Sequence, residues 1–125
     1  MRAIAALTLD AGTRWQDLAD DLQADHLIQN KGCLYVFNNE ARYQAGRQDM
    51  RRRQAFGVSV ELLNPGEIAQ LEPHLPQVEG GGAFFPDALS VSDPGHLVCL
   101  IARRAEADGV RILPESVVGL SAQKR

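Results

Sequence analysis

Long apolar runs are missing from this 125-residue chain. No stretch approaches the roughly 18 to 20 residues that a helix needs to cross a bilayer, which excludes a helical membrane span. The amino-terminal run that ends at Leu9 is broken by Asp10 and no cleavage site follows it, so it reads as ordinary chain rather than a signal peptide. A basic excess is missing too. Thirteen Lys and Arg against sixteen Asp and Glu leave a net charge of −3 and a pI near 5.5, so no global field draws the chain to nucleic acid or anionic lipid. Cysteine is scarce, and Cys33 and Cys99 form no CxxC pair. Both are expected to be small buried hydrophobes in a reducing, cytoplasmic setting. Repeats and low-complexity tracts are also lacking. The remaining composition, 45% hydrophobic and 23% charged, is that of a chain that folds, at a length suited to one domain or a piece of a larger one.

Thr13 and Gln16 have the spacing of a capping box, and Trp15, Leu18, Ala19 and Leu22 then fall on one face of a helix ending near Ala24. The apolar run from Gly32 to Phe37 is too short for a buried helix and is rich in strand formers, so it is expected to be a central strand. Residues 40–56 favour a helix anchored by Tyr43, Met50 and Phe56 and stopped at Gly57. Its Arg51, Arg52 and Arg53 succeed one another at about 100° per residue and form no single phosphate-binding patch, so they read as a solvated face.

Val58 to Leu63 reads as a second strand. Asn64, Pro65 and Glu67 open a short helix through Leu71 that Pro73 closes. The run Gly80-Gly81-Gly82 is expected to be a loop entering a short strand at Ala83 to Pro86. It fails as a dinucleotide fingerprint, because Phe85 stands where G-x-G-x-x-G needs Gly or Ala and no helix follows. Asp93 and Pro94 begin the best-defined helix, with Leu97, Leu100, Ile101 and Ala105 on its apolar face. Gly109 ends it, and Val110 to Leu113 is expected to return as a strand, a step of the α/β kind.

Chemistry-bearing residues are present but dispersed. His26, His74 and His96 have no ligand partner at helical spacing, Asp93 beside His96 is explained as a cap, and no metal site is expected. Glu61, Glu67, Glu72 and Glu79 define no acid/base pair. Ser90 and Ser92 lack a nucleophile elbow.

One ordered set of segments resembles a known family. Lys31-Gly32-Cys33-Leu34-Tyr35-Val36, the charged helix ending in Phe56-Gly57-Val58, Leu71-Glu72-Pro73-His74-Leu75, Gly82-Ala83-Phe84-Phe85-Pro86, and Asp93-Pro94-Gly95-His96-Leu97 through Asp108-Gly109-Val110 occur in the order seen in FAD-dependent oxidoreductases of the D-amino acid oxidase superfamily. The likeness is greatest to the D-amino acid dehydrogenase group and covers roughly residues 15 to 121. It implies an α+β fold, with a mixed, largely antiparallel sheet and flanking helices over residues 1–92. Residues 93–125 resemble the helix and strand that re-enter the flavin-binding domain. It also implies that Val117, in Glu115-Ser116-Val117-Val118-Gly119-Leu120, contacts the adenine side of FAD through its backbone.

The glycine-rich turn and the acidic ribose-binding residue of that family have no counterpart here. The chain is therefore expected to be an internal segment of a flavoenzyme, inactive alone and holding no FAD by itself, with an amino acid or amine as the intact enzyme's substrate. Its partners would be the missing flavin-domain segments or a chain supplying them. The contrasting expectation is a non-enzymatic α+β module that binds a partner through Leu97, Leu100 and Ile101.

Overall fold

The structure, a computed structural model, describes residues 8–121. The amino-terminal apolar run lies outside them except for Thr8 and Leu9. Four helices and five strands follow in the order α1 (Ala11–Asp21), β1 (Ile28–Gln29), β2 (Cys33–Phe37), α2 (Glu40–Ala55), β3 (Glu61–Leu63), α3 (Pro65–Leu71), β4 (Gly81–Phe85), β5 (Ser90–Val91) and α4 (Pro94–Ala107). A single 3-10 turn, Asp25–Leu27, joins α1 to β1. All strand pairs are antiparallel, in a two-stranded sheet β1-β5 and a three-stranded sheet β2-β4-β3, so the class is α+β as the sequence implies.

The helix starts show how local chemistry sets boundaries. Asn39 accepts from the Arg42 amide at 2.9 Å, and Asp93 accepts from the His96 amide at 2.9 Å. Asn64 forms a full capping box with Glu67, its side chain accepting at 3.0 Å while its own amide donates to the Glu67 carboxylate at 2.7 Å. The expected box at Thr13 does not form. The helix already starts after Asp10, leaving Thr13 inside the first turns, and the Asp10 carboxylate is occupied by the Arg14 guanidinium at 3.0 Å.

Three helices end in the same hydrogen-bonded reversal. Gln23, Gly57 and Gly109 take positive φ, and the next amide returns to a carbonyl five residues back: Ala24 to Ala19, Val58 to Arg53 and Val110 to Ala105.

The sheet order corrects two expectations. The middle strand is β4, not β2. The glycine run is largely strand and not loop: a Cβ on Gly82 would lie 3.0 Å from both Ile68 Cδ1 and the Tyr35 carbonyl, and one on Gly81 would lie 2.9 Å from the Leu63 carbonyl. Only glycine lets β2, β3 and α3 close this tightly on β4. The expected strand from Val58 shortens to Glu61–Leu63, where β4 provides partners.

After Gly109 no strand forms among the described residues. Val110, Ile112 and Leu113 are at least half exposed and meet no neighbouring strand among the described residues, and a strand without a hydrogen-bonded partner has nothing to hold it. Of the expected α/β return, the described residues show the helix alone.

Two small cores result. Met50, Val60 and Ala83 are buried between α2 and one face of the larger sheet, while Ile68 of α3 covers the other face at Gly82. Ala24, Leu27 and Leu97 form the second, with Leu22, Ile28, Val91, Leu100 and Ile101 around it. The apolar face of α4 is thus taken up within the chain, by residues 22–28 and Val91. Trp15, expected on a buried face, is 46% exposed. Cys99 is exposed rather than buried, because the helix turns it away from Leu97, and Cys33 is half-buried; both are free thiols.

Candidate functional site

A cavity of about 690 Å³ opens where three parts of the chain converge. The start of α1 supplies Gly12 and Thr13, the carboxyl end of α2 supplies Arg53, and the turn after β4 supplies Asp87 and Leu89. Each wall follows from local structure. Antiparallel pairing sets Cys33 of β2 opposite Phe85 of β4 and Tyr35 opposite Ala83. With a period of two, Tyr35 and Phe85 then rise from the same face. Their rings lie 5.1 Å apart, tilted by 60°, and form an aromatic floor.

Arg53 reaches that floor because α2 ends just beyond it. The helix terminus is fixed by the Gly57 reversal and by Gln54, whose side-chain amide donates to the Val60 carbonyl at 2.6 Å. The guanidinium stands 6.0 Å from the Phe85 ring centroid and is paired with Asp49 at 2.9 Å one turn earlier. Asp49 and the ring flank the cation beside the cavity. The Ala88 amide donates to the Phe85 carbonyl at 3.2 Å, which closes the turn carrying Asp87. The lining thus offers a cation, a carboxylate, the hydroxyls of Thr13 and Ser59, and an apolar floor. That set suits recognition of a small polar molecule with an apolar part.

Apart from Cys33 and Arg53, the residues singled out in the sequence are elsewhere. Val117 is 81% exposed, belongs to no helix or strand, and does not line the cavity. Asp93 is engaged as a helix cap, through the His96 backbone rather than its ring. Ser92 donates to the Leu27 carbonyl at 3.3 Å and serves the β1-β5 pairing. Among the described residues, no three His, Cys, Asp or Glu side chains are gathered in a way that could hold a metal ion. Arg51, Arg52 and Arg53 are all exposed, and Arg53 is committed to Asp49 and Phe85.

Tyr35, Arg53 and Phe85 were not recognisable as a group in the sequence. Each lay in a segment that could be read, but the β2-β4 register that unites them is long-range.

A dinucleotide cofactor finds no cradle in the described residues. Gly81 and Gly82 are enclosed inside a strand and face the carbonyls of β2 and β3, rather than opening a helix whose amides could receive a pyrophosphate. No parallel strand pair or βαβ crossover accompanies them among those residues. The glycine run therefore does not fit the pyrophosphate of FAD.

The class of protein is nevertheless defined by comparison. Residues 1–125 match the FAD dependent oxidoreductase family, and the chain belongs to that family. A particular relative is the D-amino acid dehydrogenase of Chromohalobacter salexigens, 33% identical over 89 residues, which is 69% of this chain and 19% of the relative. The chain therefore spans about a fifth of the length of that relative. No solved structure matches it.

Proposed function

We propose that this chain is a segment of a flavin-dependent D-amino acid dehydrogenase, whose intact form oxidises a D-amino acid or related amine by hydride transfer to flavin. The observation that carries the reading is the 33% identity to a D-amino acid dehydrogenase across 69% of the chain. Residues 1–92 are then substrate-domain material and residues 93–125 lead back into the flavin-binding part. The exposed, unpaired backbone around Val117 suits a contact to the adenine side of FAD made within the complete protein. The segments that complete the flavin site come from outside these 125 residues, and the chain alone holds no FAD and is inactive. Its role is positional: it shapes the surroundings of the substrate, while the oxidising chemistry belongs to the cofactor. Two free thiols suit a cytoplasmic protein.

Two measurements test this. The purified chain mixed with FAD should retain no stoichiometric flavin after gel filtration, and tight one-to-one binding would overturn the claim that the cofactor site lies elsewhere. Protein carrying this segment within a complete, FAD-loaded assembly should lose its visible flavin absorption anaerobically when a D-amino acid is added, and keep it with the L-enantiomer. An unchanged band with every D-amino acid and amine tried would refute the activity.

A further inference from the structure

The three-stranded sheet has two edges of opposite character. Strand β3 is three residues long, carries the exposed Glu61 and runs into Asn64-Pro65, while the Val60 carbonyl just before it is taken by Gln54. Shortness, charge and proline are the means by which an outer strand resists further pairing. Strand β2 has none of them. Its five residues, Cys-Leu-Tyr-Val-Phe, are uncharged and apolar throughout, the composition of a strand covered on both faces rather than the alternation of one that meets water. Among the described residues no strand pairs with its outer edge.

The cover that this composition calls for is absent from the 125 residues. Tyr35 is 50% exposed on one face of β2 and Val36 is 42% exposed on the other, whereas Ala83 of β4, which has a strand on each side, is fully buried. Tyr35 borders the 690 Å³ cavity. Val36 borders a second hollow of about 390 Å³, with Phe37, Leu75 and Val78 in its walls. Apolar surface therefore straddles the open edge on both sides.

We propose that in the complete protein β2 is an inner strand, its free edge paired by a strand from elsewhere in the same polypeptide, so that the sheet continues past β2 and ends at β3. This rests on reading the chain as a segment of a flavin-dependent D-amino acid dehydrogenase. Length and tethering select the occupant. The matched residues are 19% of the relative, so about four-fifths of that protein's length lies outside the match. A strand tethered on the same polypeptide meets the edge at an effective concentration of roughly millimolar order, which a free second copy reaches only when the protein itself is millimolar. The added strand is apolar on both sides, because it continues the Tyr35 face and the Val36 face alike. It is free of proline within the pairing, because it bonds β2 along its length. Its side chain directly across from Tyr35 then forms a further wall of the 690 Å³ cavity, so a segment distant in sequence completes the candidate site.

Hydrogen exchange on the complete, FAD-loaded protein carrying this segment tests the proposal without any variant. Peptides covering residues 33–37 should exchange about a hundredfold more slowly than in the 125-residue chain, whatever the protein concentration. Equal exchange in the two overturns the proposal. Protection that appears only as concentration drives dimer formation assigns the edge to a second copy and overturns it as well. Val36→Lys gives an independent reading. In the 125-residue chain the lysine stays in water and thermal unfolding should be unchanged, whereas in the complete protein the added strand buries it and the midpoint should fall by about 5 °C or more. A variant tolerated equally by both refutes the pairing. Bleaching of the flavin by a D-amino acid is read on the same wild-type sample. Bleaching with an unprotected β2 overturns the strand pairing alone, and a protected β2 without bleaching overturns the functional reading alone.

Discussion

Leu97→Ala should release α4 while leaving the larger sheet folded. Leu97 is 4% exposed and is one of three buried residues in its core, beside Ala24 and Leu27. Burying a leucine fully contributes about 2 kcal/mol, and incomplete collapse around the missing atoms raises the cost of truncation to about 3 kcal/mol. The other core, built around Met50, Val60 and Ala83, shares none of these residues. The loss therefore falls on one cluster, and a cluster with only three buried side chains has little reserve.

Native-state hydrogen exchange by mass spectrometry resolves this regionally. Protection should fall about a hundredfold across residues 94–107, as about 3 kcal/mol implies, with little change at β2 and β4. Equal loss in both regions would refute the two-core reading, and a loss below about tenfold in α4 would refute the assigned burial of Leu97.

Other perturbations follow from single contacts. Ile68→Ala removes the side chain that covers the second face of the sheet at Gly82 and should cost about 2 to 4 kcal/mol by urea denaturation, with exchange loss centred on β3, α3 and β4. Asn64→Ala breaks both halves of the capping box at α3 and should cost about 1 kcal/mol, whereas Asn64→Asp should keep most of it. Gly81→Ala forces a positive φ of 142° on a residue with a Cβ and pushes that atom against the Leu63 carbonyl, so thermal unfolding should shift downward even though alanine is otherwise benign. Under the proposed function, Arg53→Ala should leave the fold intact by circular dichroism and raise the KM for amino acid substrate of a complete, FAD-loaded protein carrying this segment. An unchanged KM would separate Arg53 from substrate binding.

Features written in short stretches of sequence were legible before the structure. Asn64-Pro65-Gly66-Glu67 and Asp93-Pro94 marked two helix starts, because a cap needs only the residue and the amides two or three positions later. Gly57 and Gly109 marked two helix ends for the same reason. Leu97, Leu100 and Ile101 required a partner surface by their spacing, and the fold provides it at Ala24 and Leu27.

What failed to show was set by pairing at a distance. The run at residues 80–82 looks like a loop because glycine disfavours strands in isolation, yet Gly81 and Gly82 lie in the middle strand because β2, β3 and α3 approach too closely for any side chain there. Val110 to Leu113 looks like a strand by composition, yet without a neighbour its backbone has nothing to bond.

The sequence by itself determined the caps of α3 and α4, the stops at Gly57 and Gly109, the α+β class and the family, since these depend on local hydrogen bonding and on an ordered set of short segments. Only the tertiary structure decided which strand is central, which edge is open, and that Tyr35, Arg53 and Phe85 border one cavity. Those outcomes depend on strand register, and register is fixed by side chains packing across fifty residues of intervening chain rather than by any residue's immediate neighbours.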